Sequence, residues 1–290
     1  MHNIENEFLK VSVRNFGAEL TSVLNKKNGV EHLWQADKKW WGWHAPVLFP
    51  IVGRCLNDQI NFGEKTYPLE KHGFARKSDF ELVAQTPISL TFSLKSSEAT
   101  EKNFPFKFEF RIEYSLSKNK LQQRFEVINN SNETLCFSLG AHPAFNVPFN
   151  TNESFNDYFI EFEKSENLTR HRINNEGFFD GRKDLVSADG KIDLTPELFN
   201  DDALIFKDIS SRSITIKSKK NTQQLKVSFS DFPYLGIWTK EGAPYVCIEP
   251  WLGCADTAGK PTDFTKKEGV LSLAANRSFS AAMFVEISAA

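Results

Sequence analysis

Four short stretches each set a lone ionisable residue in apolar or Gly/Pro-rich surroundings: Pro-Ile-Val-Gly-Arg ending at Arg54, Lys-His-Gly-Phe-Ala-Arg around His72, Leu-Gly-Ala-His-Pro-Ala-Phe around His142, and Val-Cys-Ile-Glu-Pro-Trp around Glu249. An acid and a base held by stiff local backbone are what proton-transfer chemistry requires. Tyr245-Val246-Cys247-Ile248 reads as a core strand, and a carboxylate beside it carries a desolvation cost unless something pairs with it. Glu249 therefore needs a partner or a chemical role. Partial burial raises a carboxyl pKa toward neutrality, which suits a base working near pH 7. A buried ion pair with Arg54 or Arg76 accounts for the same residue structurally.

His142 follows the apolar run Leu135-Cys136-Phe137-Ser138, and Gly140 and Pro143 restrict the backbone around it, as a directed proton donor demands. A buried histidine bonded to a backbone carbonyl is the plainer account. In Lys71-His72-Gly73-Phe74-Ala75-Arg76, the glycine permits close backbone approach and the arginine favours a neutral ring. Such a ring accepts one hydrogen bond and donates another, matching a hydroxyl-rich ligand; a loop histidine capping a turn fits equally. Of the neighbours Asp201 and Asp202, one is expected to point inward, either to hold hydroxyls or to cap a turn. Arg54 binds a ligand oxygen or neutralises Glu249. Three of the six tryptophans fall within Trp40-Trp41-Gly42-Trp43. Flat aromatic faces suit pyranose rings, as does Trp251 beside Glu249, although adjacent Trp40 and Trp41 cannot face the same way on a strand.

The elements that must position these groups are strands. Period-two alternation runs through Leu9–Arg14, Phe106–Tyr114 and Ser213–Lys217, and turn chemistry at Lys27-Asn28-Gly29, Ser117–Lys120 and Lys240-Glu241-Gly242 separates such runs. Helical signals are short: Thr195-Pro196 opens one turn, and residues 97–103 another. Many strands with short turns and no βαβ alternation predict antiparallel sheets packed face to face. Residues 149–211 are richer in loops, yet alternation resumes at Tyr158–Phe162, so the whole span 1–290 is read as a single all-β domain.

The 290 residues carry a formal net charge of -2, with 27 Phe and 6 Trp for a large core. No basic tract gives a footprint for nucleic acid or an anionic membrane, which leaves a small molecule as the partner of a monomer or homodimer. The N-terminus has no cationic region followed by an apolar run, and no stretch reaches the roughly 20 apolar residues that span a bilayer. The 4 cysteines lack CxxC spacing, so reduced thiols and a cytoplasmic location are expected.

Taken in order, Gly-Ala-Glu-Leu at residues 17–20, Arg54, His72, His142, Asp202 and Glu249 resemble the aldose 1-epimerase superfamily, the galactose-mutarotase-like proteins, along nearly the whole chain. The forms His-Gly-Phe-Ala-Arg and Ala-His-Pro-Ala-Phe resemble its divergent mutarotase-related branch. The resemblance implies a large antiparallel β-sandwich, the galactose mutarotase-like supersandwich, with a sugar cleft on a concave face and no cofactor. It implies His142 as the general acid at the pyranose ring oxygen and Glu249 as the base at the anomeric hydroxyl. Ring opening, rotation about C1–C2 and closure would then exchange anomers. His72 would assist near the ring oxygen, while Arg54 and Asp202 would position hydroxyls.

Three other readings are compatible with the sequence. The cations Lys71 and Arg76 around His72 suit a hexose 6-phosphate as substrate. A non-catalytic carbohydrate-binding or sensing module would use the same cleft. A zinc hydrolase would take His72, His142 and Glu249 as ligands, although no HExxH-like spacing supports it.

Overall fold

Alternating sequences become long paired strands. The computed structural model describes residues 1–259 and 263–288. Phe108–Ser117 and Lys120–Asn129 alternate inward and outward side chains along their length. They pair in antiparallel register from Lys120↔Ser117 to Asn129↔Phe108, around a turn in which Lys118 adopts φ 53°. These strands lie in a nine-stranded sheet, and a second sheet has eight strands. Both line one buried apolar cluster, to which the first contributes Phe110 and Phe125 and the second Val246 and Ile248. Phe49 bridges the layers, its ring stacked 4.4 Å from that of Phe110. The architecture is the antiparallel sandwich that the alternation predicts.

Residues 149–211 belong to both layers. Tyr158–Phe162 and Lys191–Asp193 end the nine-stranded sheet, whereas Leu168–Ile173, Phe179–Ser187 and Leu204–Phe206 end the other. Among the described residues helix is confined to Glu98–Glu101 and short 3-10 turns such as Pro196–Phe199. Ser97 caps the former by accepting from the Thr100 amide at 3.3 Å. Among the described residues no helix is long and apolar enough to cross a membrane. All 4 cysteines are buried free thiols.

His32 lies at 3% exposure beside the Leu33↔Phe145 bridge, with its ring against Phe149 and neither ring nitrogen hydrogen-bonded. Burial drives its pKa down to about 4. The unfolded chain, with an ordinary imidazole near 6.5, therefore binds a proton first as pH falls. Stability is complete above pH 6.5 and is lost between 6.5 and 4, by up to about 3 kcal/mol from this ring. His32→Leu is expected to flatten that part of the acid limb relative to the native chain in urea titrations at pH 7 and 4.5, leaving the share due to His72 and His142. An unchanged pH difference would remove His32 from the account.

Candidate active site

The strand Tyr245–Leu252 is buried on both faces, and the pleat divides its residues. Val246, Ile248 and Leu252 enter the main core, whereas Tyr245 and Cys247 join one satellite cluster and Trp251 another on the opposite face. Glu249 shares the parity of that second face. Its neighbours continue the surface: Gly236 of the adjoining strand Tyr234–Trp238 pairs with Glu249, and Gly140 of Leu139–Ala141 pairs with Trp251. A Cβ on Gly140 would stand 2.8 Å from Trp251 Cδ1, and one on Gly236 would stand 2.7 Å from its Cζ2. Two side-chain-free positions thus let the indole lie flat against the sheet. Above this floor opens a cleft of about 990 Å³, walled by Trp41, His72, His142, Trp238, Glu249 and Trp251.

His142 leaves the end of its strand on the cleft side, and its Nε2 comes within 3.2 Å of Glu249 Oε2. Trp41 stacks on the imidazole at 4.8 Å, and Trp238 meets it edge-on at 6.0 Å. These aromatic walls displace water from both ionisable groups. Burial drives the carboxyl of Glu249 up to about 8, with Asp202 adding to the rise and the Lys71 charge opposing it. Burial likewise takes the His142 ring down to about 3. Both groups are pushed toward their uncharged forms, so the pair holds one proton at neutral pH.

His72 is fixed by its own backbone and that of Gly53. Its amide donates to Gly53 O at 2.8 Å, and its Nδ1 accepts from the Gly53 amide at 3.2 Å. The second bond leaves the proton of the neutral ring on Nε2, making that nitrogen a donor. Desolvation holds the ring neutral, reinforced by Lys71. Its plane is nearly perpendicular to that of His142, at 6.0 Å. Both His72 and Gly73 have positive φ, 68° and 69°.

Arg76 also lines the cleft. Its Nη2 donates to Lys71 O at 2.8 Å, and its guanidinium lies 5.8 Å from the Trp43 ring centre. Glu70, a nearby acid, is engaged by Lys77 at 2.7 Å. Among the described residues neither Arg76 nor Lys71 forms an ion pair. The Gly-Ala-Glu-Leu segment serves this wall. Gly17 lets the chain approach the Arg76 carbonyl, to which a Cβ would come within 2.8 Å. Buried Glu19 pairs with Arg14 and accepts from the amides of His44 and Ala45 at 2.8 and 3.0 Å, anchoring the end of the tryptophan loop.

Arg54 differs from its expected place. It is absent from the cleft wall, because its Nε and Nη2 form a bidentate pair with Asp58 at 2.7 and 2.6 Å. It does not neutralise Glu249 either. Asp202 lies in the cleft wall, and Asp201, also in the wall, is bound by Arg170 and Arg172 at 3.0 and 2.9 Å. Of the tryptophan cluster only Trp41 joins the wall; Trp238, Arg172 and Lys240 are lining residues that the sequence patterns did not single out. The two-histidine metal set is also rearranged: the donor atoms that converge are those of His142, Cys247 and Glu249. Arg54→Ala is expected to leave the affinity of the cleft for its ligand within about twofold, since surface changes away from a site have small effects, whereas Arg76→Ala weakens it. Binding titrations on the two variants check this, and a larger effect at Arg54 would reverse the assignment.

The aldose 1-epimerase family profile matches residues 1–272. Protein LacX (chromosomal) of Lactococcus lactis subsp. lactis is 36% identical over 260 residues, covering 86% of this chain and 87% of that one. A galactose mutarotase related enzyme from Lactobacillus acidophilus superposes with a TM-score of 0.95 at 39% identity, over 99% of this chain and 97% of that one. A galactose mutarotase-like protein from Lactobacillus casei ATCC 334 gives 0.93 at 35% identity, over 99% and 100%. With the sandwich, the cleft and the profile match in agreement, the chain belongs to the aldose 1-epimerase family.

Proposed function

We propose that this chain interconverts the α and β anomers of a hexose by acid–base ring opening and closure, with Glu249 as base and His142 as acid. The observation that carries the reading is their 3.2 Å approach at the floor of the cleft. In the resting pair the one proton lies on the carboxyl. A sugar whose anomeric hydroxyl donates to Glu249 stabilises the carboxylate, and the proton then resides on His142. Glu249 takes the O1 proton, the C1–O5 bond breaks as O1 forms the carbonyl, and His142 delivers its proton to O5. The pair ends with one proton on Glu249 and a neutral imidazole, its resting composition. Solvent supplies nothing, and closure after rotation about C1–C2 runs the same steps backward. The Nε2–H of His72 supplies a hydrogen bond to an oxygen in the cleft, and Asp202 accepts from a hydroxyl.

A second reading, with the same chemistry on a hexose 6-phosphate, is favoured by Arg76 and Lys71, cations without a carboxylate partner in the cleft wall. Magnetisation-exchange NMR on glucose, galactose and their 6-phosphates tests both. Accelerated anomer exchange supports the activity, and the preferred member of each pair names the substrate. Sugar binding without acceleration would instead make the protein a carbohydrate sensor.

A further inference from the structure

Cys247 takes no part in the proton transfers above, yet it stands two residues before Glu249 on the same face of one strand. Its Sγ, a ring nitrogen of His142 and a carboxylate oxygen of Glu249 all lie within 4.8 Å of one another. We propose that these three side chains form an inhibitory site for a thiolate-seeking divalent cation, zinc being the chemical type.

Zinc holds nitrogen, oxygen and sulfur donors at about 2.0–2.3 Å in a tetrahedron, which places donor atoms roughly 3.3–3.8 Å apart. The Nε2–Oε2 separation of 3.2 Å is just short of that spacing. The widest separation closes by about 1 Å, within the reach of side-chain rotation about the strand. His142 and Glu249 border the cleft, so the fourth coordination position faces the opening and is the route of arrival. One imidazole nitrogen, one thiolate and one carboxylate bring two negative charges to a dication, and the buried site then carries no net charge. In forming it, the thiol releases its proton, the His142–Glu249 pair releases the one it holds, and both pass to solvent as the metal–sulfur and metal–oxygen bonds form. Magnesium and calcium, which prefer all-oxygen shells, are discriminated against.

The other thiols lack this arrangement. Among the described residues no second thiol has two further donor groups gathered about it; Cys136 neighbours the Ser272 hydroxyl at 3.7 Å. A bound ion would occupy both proton-carrying atoms, which makes the site inhibitory if the proposed epimerisation holds; the binding itself does not depend on that reading.

Cadmium serves as the probe, because a thiolate–cadmium bond gives an ultraviolet charge-transfer band whether or not sugar turns over. Titration of the native chain with cadmium is expected to give the band at one equivalent, with zinc displacing it. Cys247→Ser is expected to abolish the band. His142→Ala, which keeps the thiol, is expected to weaken binding at least about tenfold, since even outer-sphere changes at metal sites cost that much. No band in the native chain, an undiminished band in Cys247→Ser, or unchanged affinity in His142→Ala would each overturn the site.

Discussion

Glu249→Gln is expected to slow anomer exchange by about 10²- to 10⁴-fold, and His142→Ala by a similar factor, because each removes one of two coupled proton transfers. The amide is close to the carboxyl in size and shape, so the cleft keeps its form while losing the carboxylate proposed to accept the O1 proton. The double variant is expected to be little slower than either single one, as happens when two groups act as a unit. NMR exchange rates with bound-sugar affinity measured alongside would check the result. A glutamine variant retaining near-native exchange would remove Glu249 from the chemistry, whatever its effect on binding. With Glu249 at about 8 and His142 at about 3, the pair keeps its single proton between those values. Activity is therefore expected to fall as pH rises through about 8, where that proton departs.

Gly73→Ala is expected to cost about 2–5 kcal/mol of stability, the sum of a left-handed backbone and an overpacked contact. Gly73 has φ 69°, and an added Cβ would lie 2.3 Å from the carbonyl oxygen of Phe49. That oxygen accepts from the Phe74 and Ala75 amides at 3.1 and 3.2 Å, so it cannot move aside without releasing both. The neighbouring His72 would lose its registration with Gly53, and the donor nitrogen would swing out of the cleft. Urea unfolding should show a lower midpoint with an unchanged slope. An unshifted midpoint would mean that the 72–75 turn has another accessible conformation.

The strands, the sandwich and the gathering of His142 and Glu249 at one cleft were readable because each leaves a local mark: period-two alternation, turn residues, and an ionisable group where a core strand should continue. Arg54 was misplaced for a reason that no local pattern reveals. Asp58 follows it by four residues, but a strained turn with Asn57 at φ 59° and Asp58 at φ 51° folds that carboxylate back onto it. Arg76, read from the sequence as a cation beside His72, lines the cleft, and Gly17, distant in sequence, packs against its carbonyl. Arg172 and Lys240 were invisible as wall residues, since a charge on a strand near the end of a sheet or on a hairpin looks like any solvated charge. Cys247 was counted only among the reduced thiols, and parity with Glu249 along the strand is the signal that would have set it beside His142.

The flat seat of Trp251 reaches beyond catalysis. Because the indole rests where Gly140 and Gly236 have no side chains, the depth of the cleft is set by two absent methyl groups rather than by any residue that touches ligand. An alanine at either position would lift the aromatic floor toward the opening and exclude bulkier sugars before smaller ones. The height of the cleft floor is thereby written into the backbone of the sheet, one layer below the surface that lines the opening.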